Sequence, residues 1–169
     1  MSSELRFHVC ETSLGWVAVT LADEGLRSIT LPLASRDDAL REATERGAVA
    51  PASVDEAREV DEAIGALVSG RPVNGSLRID WRGITPFRRA VLEACAAIPI
   101  GETRSYGWLA EQAGSPRAAR AAGRVMATNP WPLLIPCHRV IGSSGGLHGY
   151  GGGLPMKERL LKIEGAIQD

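Results

Sequence analysis

A cysteine and a histidine stand side by side in Pro136-Cys137-His138-Arg139-Val140, which follows an apolar run and precedes a glycine-rich loop. Thiol chemistry needs the thiolate, so a reactive cysteine requires a base or a positive charge nearby. Cys137 is therefore a candidate nucleophile and His138 a candidate base. The apolar run predicts a buried strand ending at the loop. Because neighbouring strand residues point to opposite faces, the pair can cooperate only at a turn or through a bridging water.

The other cysteines do not extend this pair into a metal site. Cys10, Cys95 and Cys137 are odd in number and widely spaced, without a C-x-x-C pair, so neither a disulfide framework nor a zinc site is predicted. The three histidines also lack ligand spacing. We therefore expect no metal and no cofactor, with His8 and Cys10 as ordinary strand residues and Cys95 in the core.

The 169 residues suffice for one large or two small domains. No apolar run approaches the roughly 20 residues that span a bilayer, and the N-terminus lacks signal-peptide features, so we expect a cytoplasmic protein with no membrane partner. Charge is uneven: residues 1–84 hold nine Lys/Arg against fourteen Asp/Glu, giving −5, and residues 85–169 hold ten against six, giving +4. Local basic patches bind phosphates, so the second half is where nucleic acid would bind.

The first half predicts an α+β domain over residues 1–82 that carries no chemistry of its own. Ser35 opens a charged helix to Arg46, and a capping box at Ser53 opens a second helix that ends at Gly70. Alternating apolar residues predict four strands, at Leu5–Val9, Trp16–Leu21, Leu26–Leu31 and Leu77–Trp81.

The second half, residues 83–169, is predicted to be mainly helical. Thr85-Pro86 combines an N-cap with a proline suited to the first helical position. Ser105 caps a short helix over Tyr106–Ala113, and Ser115-Pro116 starts another that runs to about Met126. Two short helices joined by a glycine turn indicate a helix-turn-helix, although a plain αα-hairpin has the same spacing.

The second of these helices carries three arginines among small residues. Arg117, Arg120 and Arg124 are spaced i, i+3 and i+7 and would share one face. Exposed arginines are usually just solvated, but small neighbours would let this helix press close to a partner. Arginines beside small residues suit a narrow groove, and a solvated face remains the alternative.

These features together resemble the O6-alkylguanine-DNA alkyltransferases, also called methylated-DNA–protein-cysteine methyltransferases. The resemblance covers Asp80 to Gly165, and the first eighty residues match only loosely, through Thr12–Gly15. It implies a ribonuclease-H-like N-terminal domain and a C-terminal domain with a winged-helix-like helix-turn-helix. The landmarks are, in order, Thr85-Pro86-Phe87, Gly101–Tyr106, Ala118–Gly123, Asn129-Pro130, Pro136–Val140, Gly149–Gly153, Lys157–Leu161 and Glu164-Gly165.

The activity implied by the resemblance is DNA repair by direct reversal. A cysteine thiolate, here Cys137, would take the alkyl group from guanine O6 in one displacement and be consumed, with O4-alkylthymine left open as a second substrate. His138 would be the water-mediated base and Glu164 the carboxylate that orients it. Tyr106 would donate a proton or hydrogen bond to the leaving base, and Asn129 would hold the turn that presents the cysteine.

The partner implied is double-stranded DNA, bound in the minor groove by a monomer, with cooperative assembly on DNA left open. The alkylated guanine would be flipped out and Arg120 would fill the stack. Arg124 stands where relatives carry a small or apolar residue, and it would, like Arg117, contact phosphate. The other implied DNA contacts are Ser105, Ala119, Ala121 and Gly123, and the implied pocket residues are Met126, Val140, Tyr150, Gly151 and Gly152.

Three alternatives remain open at this point. A non-catalytic lesion binder shares the scaffold but usually carries tryptophan in place of the cysteine. A cysteine hydrolase would leave the arginine helix without a purpose, and a transcription regulator would need an effector segment that is not visible. Glu164 could also be an exposed residue beside a Gly165 helix cap, so replacing it is expected to change stability little.

Overall fold

The computed structural model describes residues 4–73, 77–147 and 149–168, and it divides the chain into two compact units, Met1–Trp81 and Arg82–Asp169. The boundary expected from the sequence lies one residue further along. No described helix is long and apolar enough to cross a bilayer. The elements are β1 (Leu5–Thr12), β2 (Gly15–Ala22), β3 (Gly25–Ile29), α1 (Arg36–Glu45), β4 (Ala48–Pro51), α2 (Val54–Val68), α3 (Pro86–Ala96), β5 (Arg104–Ser105), α4 (Tyr106–Gln112), α5 (Ala119–Ala127), β6 (Val140–Ile141) and α6 (Leu154–Ile163).

The first unit is built on a four-stranded sheet in the order β3-β2-β1-β4. The first three strands form an antiparallel meander, and β4 runs parallel to β1. The three strands predicted in residues 5–31 are present. Strand β4 was not predicted, because four residues are too few to show a clear period.

The two helices of this unit pack on opposite faces of the sheet, because alternate β1 residues point to opposite sides. Ala39 and Ala43 of α1 form one core cluster with Ala18 and Ala48. On the other face, the Arg6 guanidinium binds the Glu56 carboxylate of α2 with contacts of 3.0 and 2.7 Å. The predicted caps are confirmed: the Ser35 side chain accepts from Asp38 N, and Ser53 and Glu56 form the capping box.

The strand predicted at Leu77–Trp81 is wrong. Only Ile79 forms a bridge, to Leu26, held by bonds from Leu26 N to Arg78 O and from Asp80 N to Leu26 O of 2.7 and 2.9 Å. Asp80 is buried while Ile79 is only half-buried, so the alternation does not describe an apolar inner face. The segment forms a single bridge with the start of β3 and does not pair along the strand.

The second unit contains α3 to α6 and the short parallel pair β5–β6. Thr85 caps α3 by accepting from Arg88 N at 3.3 Å, and Cys95 is fully buried in the core, as predicted. Ser105 caps α4 by accepting from Trp108 N at 3.0 Å. Helices α4 and α5 pack against each other across the turn at Gly114, where φ is +81°.

Helix α5 begins at Ala119, and not at Ser115-Pro116 as the sequence predicted. Ser115 to Ala118 form a turn closed by the 2.9 Å bond from Ala118 N to Ser115 O. The cap residue is then Ala118, which has no side chain to bond the first amides. Arg117 therefore precedes the helix, and only Arg120 and Arg124 of the three arginines lie on it.

The start of β3 depends on a glycine, and this can be tested. Gly25 has φ +137°, and a Cβ there would meet Arg78 O at 2.5 Å, so Gly25→Ala should lower the free energy of unfolding by roughly 3 kcal/mol. Gly47 also has positive φ, +99°, but its nearest neighbour would be Leu5 Cδ1 at 3.4 Å. Gly47→Ala should cost only about 1 kcal/mol in urea unfolding followed by circular dichroism. Equal losses would contradict the close backbone approach.

Candidate active site

The segment that leads to Cys137 is a pinned turn. The Asn129 Nδ2 donates to Ile135 O and its Oδ1 accepts from Trp131 N, both at 2.9 Å. Leu133, between them, has φ +76°, a left-handed conformation that is uncommon for a non-glycine residue. The two hydrogen bonds of the Asn129 side chain hold this conformation and fix the direction in which the backbone reaches Cys137.

Cys137 opens a 3-10 turn, Cys137–Arg139, so the predicted strand that would carry the cysteine and the histidine to the loop is wrong. A strand would need extended backbone, which the Leu133 turn interrupts. The structure thus adopts one of the two arrangements in which adjacent cysteine and histidine can cooperate, namely a turn. Cys137, His138 and Arg139 are all buried.

Three buried side chains form a chain of contacts beside the cysteine. His138 Nε2 lies 3.0 Å from Glu164 Oε2, so this nitrogen carries a proton that it donates to the carboxylate. Arg139 binds the same carboxylate twice, from Nε to Oε1 at 2.9 Å and from Nη2 to Oε2 at 2.8 Å. Its Nη1 donates to Ile98 O, just after α3, at 2.6 Å.

These contacts keep Glu164 ionised and determine which ring nitrogen of His138 carries a proton. Burial works to raise the pKa of Glu164, but the bonds from Arg139 and His138 outweigh it and hold the pKa at about 2. Glu164 is therefore an anion at neutral pH, although only 3% of its side chain is exposed. His138 Nδ1 is buried and has no hydrogen-bond partner among the described residues. That nitrogen is available to take a proton.

The Cys137 thiol is held between opposing influences. Burial raises its pKa, while the Asn129 amide, the Lys157 charge and the backbone N–H groups of Cys137 and His138 act to lower it. Burial wins, so the resting thiol is protonated and needs a base to become a nucleophile. The four stabilising groups are nevertheless in place for a thiolate.

Lys157 is a fully buried ammonium on α6. Its Nζ donates to Val140 O at 2.6 Å and also to Leu147 O. Burial lowers its pKa to about 8, and the Cys137 thiolate acts in the opposite direction. The lysine therefore links the loop after β6 to α6 and places a positive charge near the sulfur.

Cys137 faces a cavity of about 680 Å³ within the second unit. Two tyrosines lie in its wall, and burial raises the pKa of both Tyr106 and Tyr150, so each remains a neutral phenol that can donate. The Tyr150 hydroxyl is buried without a hydrogen-bond partner among the described residues. The wall is made by Tyr106, Ala119, Arg120, Gly123, Met126, Ala127, Cys137, Gly149, Tyr150 and Gly151.

Helix α5 supplies one side of this cavity. A Cβ on Gly123 would lie 3.7 Å from Tyr106 Cδ1, so the glycine packs against the tyrosine ring. Arg120 is exposed and belongs to the wall, whereas Arg117 and Arg124 are exposed and do not. Of the three arginines, Arg120 is thus the one at the cavity.

Eight of the seventeen residues proposed from the sequence line the cavity. Val140 is fully buried and offers its carbonyl to Lys157 instead of facing the cavity. Ser105 caps α4 through its hydroxyl. Within the described residues, the predicted site members that do not line the cavity are Ser105, Arg117, Ala121, Arg124, Asn129, His138, Val140, Gly152 and Glu164.

Two charged residues of this site had no role in the sequence interpretation. Arg139 belongs to the cysteine motif, and a charged residue within a buried apolar stretch was the available signal for it. Lys157 precedes Leu160 and Leu161 by three and four positions, so it occupies the apolar face of α6. A lysine in such a stripe indicates a buried charge with a specific partner.

Comparison with known proteins is informative for both halves of the chain. The family model for the 6-O-methylguanine DNA methyltransferase DNA-binding domain matches residues 86–166. A methylated-DNA–protein-cysteine methyltransferase of Mycolicibacterium paratuberculosis is 50% identical over 103 residues, covering 61% of this chain and 62% of that protein. One of Methanosarcina acetivorans is 42% identical over 109 residues, covering 64% and 69%. The match thus spans about three fifths of the mycobacterial relative.

Solved structures extend the likeness to nearly the whole chain. The crystal structure of Mycobacterium tuberculosis O6-methylguanine methyltransferase aligns with a TM-score of 0.76 and 32% identity, over 96% of this chain and 93% of that one. The structure of Mycobacterium tuberculosis OGT in complex with DNA gives 0.75 and 33% over the same shares.

The expectation that Glu164 lies outside the core is contradicted, because only 3% of its side chain is exposed and it binds Arg139 twice. We expect Glu164→Gln to lower the free energy of unfolding at neutral pH by about 3 kcal/mol, from a pKa lowered from 4.5 to about 2. A carboxyl group whose pKa is lower in the folded state stabilises the fold at any pH above its unfolded-state pKa. This stabilisation is lost as the pH falls through the folded-state pKa. The wild type should therefore lose this increment between pH 4.5 and about 2, and the variant should not.

Denaturant unfolding at several pH values measures this difference. Glu158, on the same helix, is half-exposed and pairs with Lys162 at 3.0 Å, so Glu158→Gln serves as the matched control. Its stability should change by less than about 1 kcal/mol. If the two variants were equally stable at neutral pH, the Arg139–Glu164 pair would not stabilise the unit.

Proposed function

Because the chain belongs to the methylated-DNA–protein-cysteine methyltransferase family, we propose that it repairs DNA by moving an alkyl group from guanine O6 onto Cys137. The observation that carries this proposal is the placement of the Cys137 thiol in the wall of a cavity of about 680 Å³ beside Arg120 of α5. Ligand cavities span about 300–1,000 Å³, a range that includes the size needed for a flipped base.

The transfer is a single displacement at the alkyl carbon. The Cys137 thiolate forms the S–C bond while the C–O6 bond breaks and its electron pair passes to the guanine. The thiol proton goes to His138 through a bridging water, and the departing guanine takes up one proton. No bond of the product thioether is one that water readily cleaves, so each molecule acts once.

Glu164 makes His138 a stronger proton acceptor. Glu164 remains ionised because its pKa is held at about 2, and its charge lies 3.0 Å from His138 Nε2. That negative charge stabilises the imidazolium formed when Nδ1 accepts the thiol proton. Asn129 and the two backbone amides then stabilise the new thiolate, as does the Lys157 charge.

The departing guanine needs a hydrogen-bond donor, and the cavity has two neutral phenols that can donate. We assign this role to Tyr106, whose raised pKa keeps its proton available. Tyr150, with an unpaired buried hydroxyl, lies in the same wall and would bond a polar edge of the base. Gly149 and Gly151 keep that wall free of side chains.

Reaching O6 requires the guanine to leave the duplex. We propose that α5 enters the minor groove and that Arg120 fills the space of the flipped base. This is supported by the small residues of α5 and by the position of Arg120 in the cavity wall. Arg124 and Arg117, both exposed and outside the wall, would contact phosphates.

The finer features of the fold belong to this proposal. The 3-2-1-4 sheet order, with β4 parallel to β1, supports a ribonuclease-H-like first unit. The α4–α5 pair flanked by β5 and β6 supports a winged-helix-like second unit. All reacting groups come from one chain, so a monomer suffices, and a reduced thiol that acts on DNA fits the cytoplasmic location expected from the sequence.

Cys137→Ser should abolish alkyl transfer while leaving DNA binding nearly unchanged, because a hydroxyl of similar size is a far weaker nucleophile. The assay incubates the protein with a duplex carrying labelled O6-methylguanine and counts label on the protein. Cys95→Ser is the matched control, since Cys95 is fully buried in the core and outside the cavity wall, and it should retain one label per molecule. A wild type that binds the lesion without acquiring label would instead identify a non-catalytic lesion binder.

Arg120→Ala should slow repair of duplex DNA by about tenfold or more, because extruding a base costs a few kcal/mol that the variant no longer offsets. Reaction with free O6-benzylguanine needs no extrusion and should be nearly unchanged. Arg124→Ala, on the same helix, should instead weaken binding to all sequences and lower the salt slope by about one phosphate contact. Equal losses on duplex and free base would contradict the role of Arg120.

A further inference from the structure

Three potential metal ligands converge in the first unit, which takes no part in the proposed chemistry. They are His8 and Cys10 on β1 and Asp61 on α2. The imidazole nitrogen, the thiol sulfur and a carboxylate oxygen all lie within 4.8 Å of one another. His8 Nε2 and Asp61 Oδ1 are 2.8 Å apart. The cluster was not visible in the sequence, because His8 and Asp61 are 53 residues apart.

The elements that carry these ligands are firmly placed. His8 and Cys10 are two positions apart on a strand, so their side chains share a face. Strand β1 is paired on both sides, to β2 and β4, and α2 begins with a complete capping box. Ligands on paired strands and capped helices need little ordering when an ion binds.

The cluster borders a cavity of about 670 Å³ in this unit. His8 is partly exposed there, and Asp61 has 56% of its side chain exposed, so an ion has a path to the ligands. The cavity also contains charged groups of both signs, Glu11 and Arg71, and has room for a further ligand.

We propose that His8, Cys10 and Asp61 bind a divalent transition-metal ion of the zinc class, with a water or an external ligand in the fourth position. A thiolate, an imidazole and a carboxylate form a donor set typical of Zn²⁺ and Co²⁺. Sulfur disfavours Mg²⁺ and Ca²⁺, which prefer oxygen ligands. With metal–ligand distances near 2.0–2.3 Å, three donors this close need only small side-chain rotations to surround one ion.

Binding exchanges a proton for the ion. Burial, assisted by Asp61, raises the pKa of Cys10, so the thiol is protonated without metal. The ion forms its bond to sulfur as the thiol proton passes to solvent, and the thiolate and carboxylate together match the two positive charges. Bound ion would also join β1 to α2 and stabilise the first unit.

Cobalt(II) is the probe that tests this site, because a thiolate ligand gives Co²⁺ an intense near-ultraviolet charge-transfer band. Chelator-treated protein should take up one Co²⁺ with this band, and Zn²⁺ should displace it. Cys10→Ser should lose the band while Cys137→Ser, which keeps Cys10, should retain it. The reverse pattern would place the ion at the active-site cysteine and overturn the proposal, as would a folded wild type that binds no ion.

A second pair of variants guards against misfolding of the Cys10 change. Asp61→Asn alters a largely exposed side chain and should leave the fold intact. Losing even an outer partner of a metal ligand costs about 10- to 100-fold in affinity, so this loss should weaken Zn²⁺ binding by at least about tenfold. Glu62→Gln, an exposed neighbour on α2, should leave affinity unchanged. Equal affinities of the two variants would exclude Asp61 as a ligand.

Discussion

The Glu164 carboxylate is the contact on which the second unit depends. It follows the last turn of α6, binds Arg139 through two hydrogen bonds and holds His138 by a third. Arg139 in turn bonds the carbonyl of Ile98 beyond α3. One buried anion thus joins the end of one helix, the cysteine turn and the segment after another helix. Buried charges persist only when they are paired, so none of the three side chains can be moved alone.

Different groups keep the Cys137 thiol protonated at rest and stabilise its thiolate when it reacts. Burial raises the pKa of Cys137, while Asn129, the turn amides and Lys157 prepare the site for a thiolate. Burial alone would keep the sulfur protonated, whereas the Lys157 charge and the hydrogen-bond donors alone would favour a permanent thiolate. Lys157 itself is only about one pKa unit from losing its charge at neutral pH, since burial lowers its pKa to about 8.

Features with local signals could be predicted from the sequence. Ser35, Ser53, Thr85 and Ser105 each cap a helix because the cap needs only the next three residues. The pairing of Cys137, His138 and Glu164 was proposed only through the family resemblance, since 26 residues separate the histidine from the carboxylate. No local pattern encodes such a distance.

Two of the three failures have the same physical origin. The Leu77–Trp81 alternation was real, yet that segment meets β3 at a single bridge, which depends on the close approach at Gly25. Ser115-Pro116 has the form of a helix start, but a closed turn follows and the helix begins only at Ala119. The expectation that Glu164 lies outside the core rested on its neighbour Gly165, whereas its side chain is buried against Arg139 and His138. For Leu77–Trp81 and for Glu164, a contact distant in sequence overrides the local preference.

The burial of Cys137 also bears on how long an unused molecule survives. Peroxides and soluble electrophiles attack thiolates. Under the proposed function each molecule reacts once, so an exposed, ionised sulfur would waste it. A thiol that stays protonated inside a wall of tyrosines and glycines is a poor target for such reagents. The protonated thiol of the resting protein would therefore act as a storage form, which becomes a nucleophile only when a substrate is seated in the cavity.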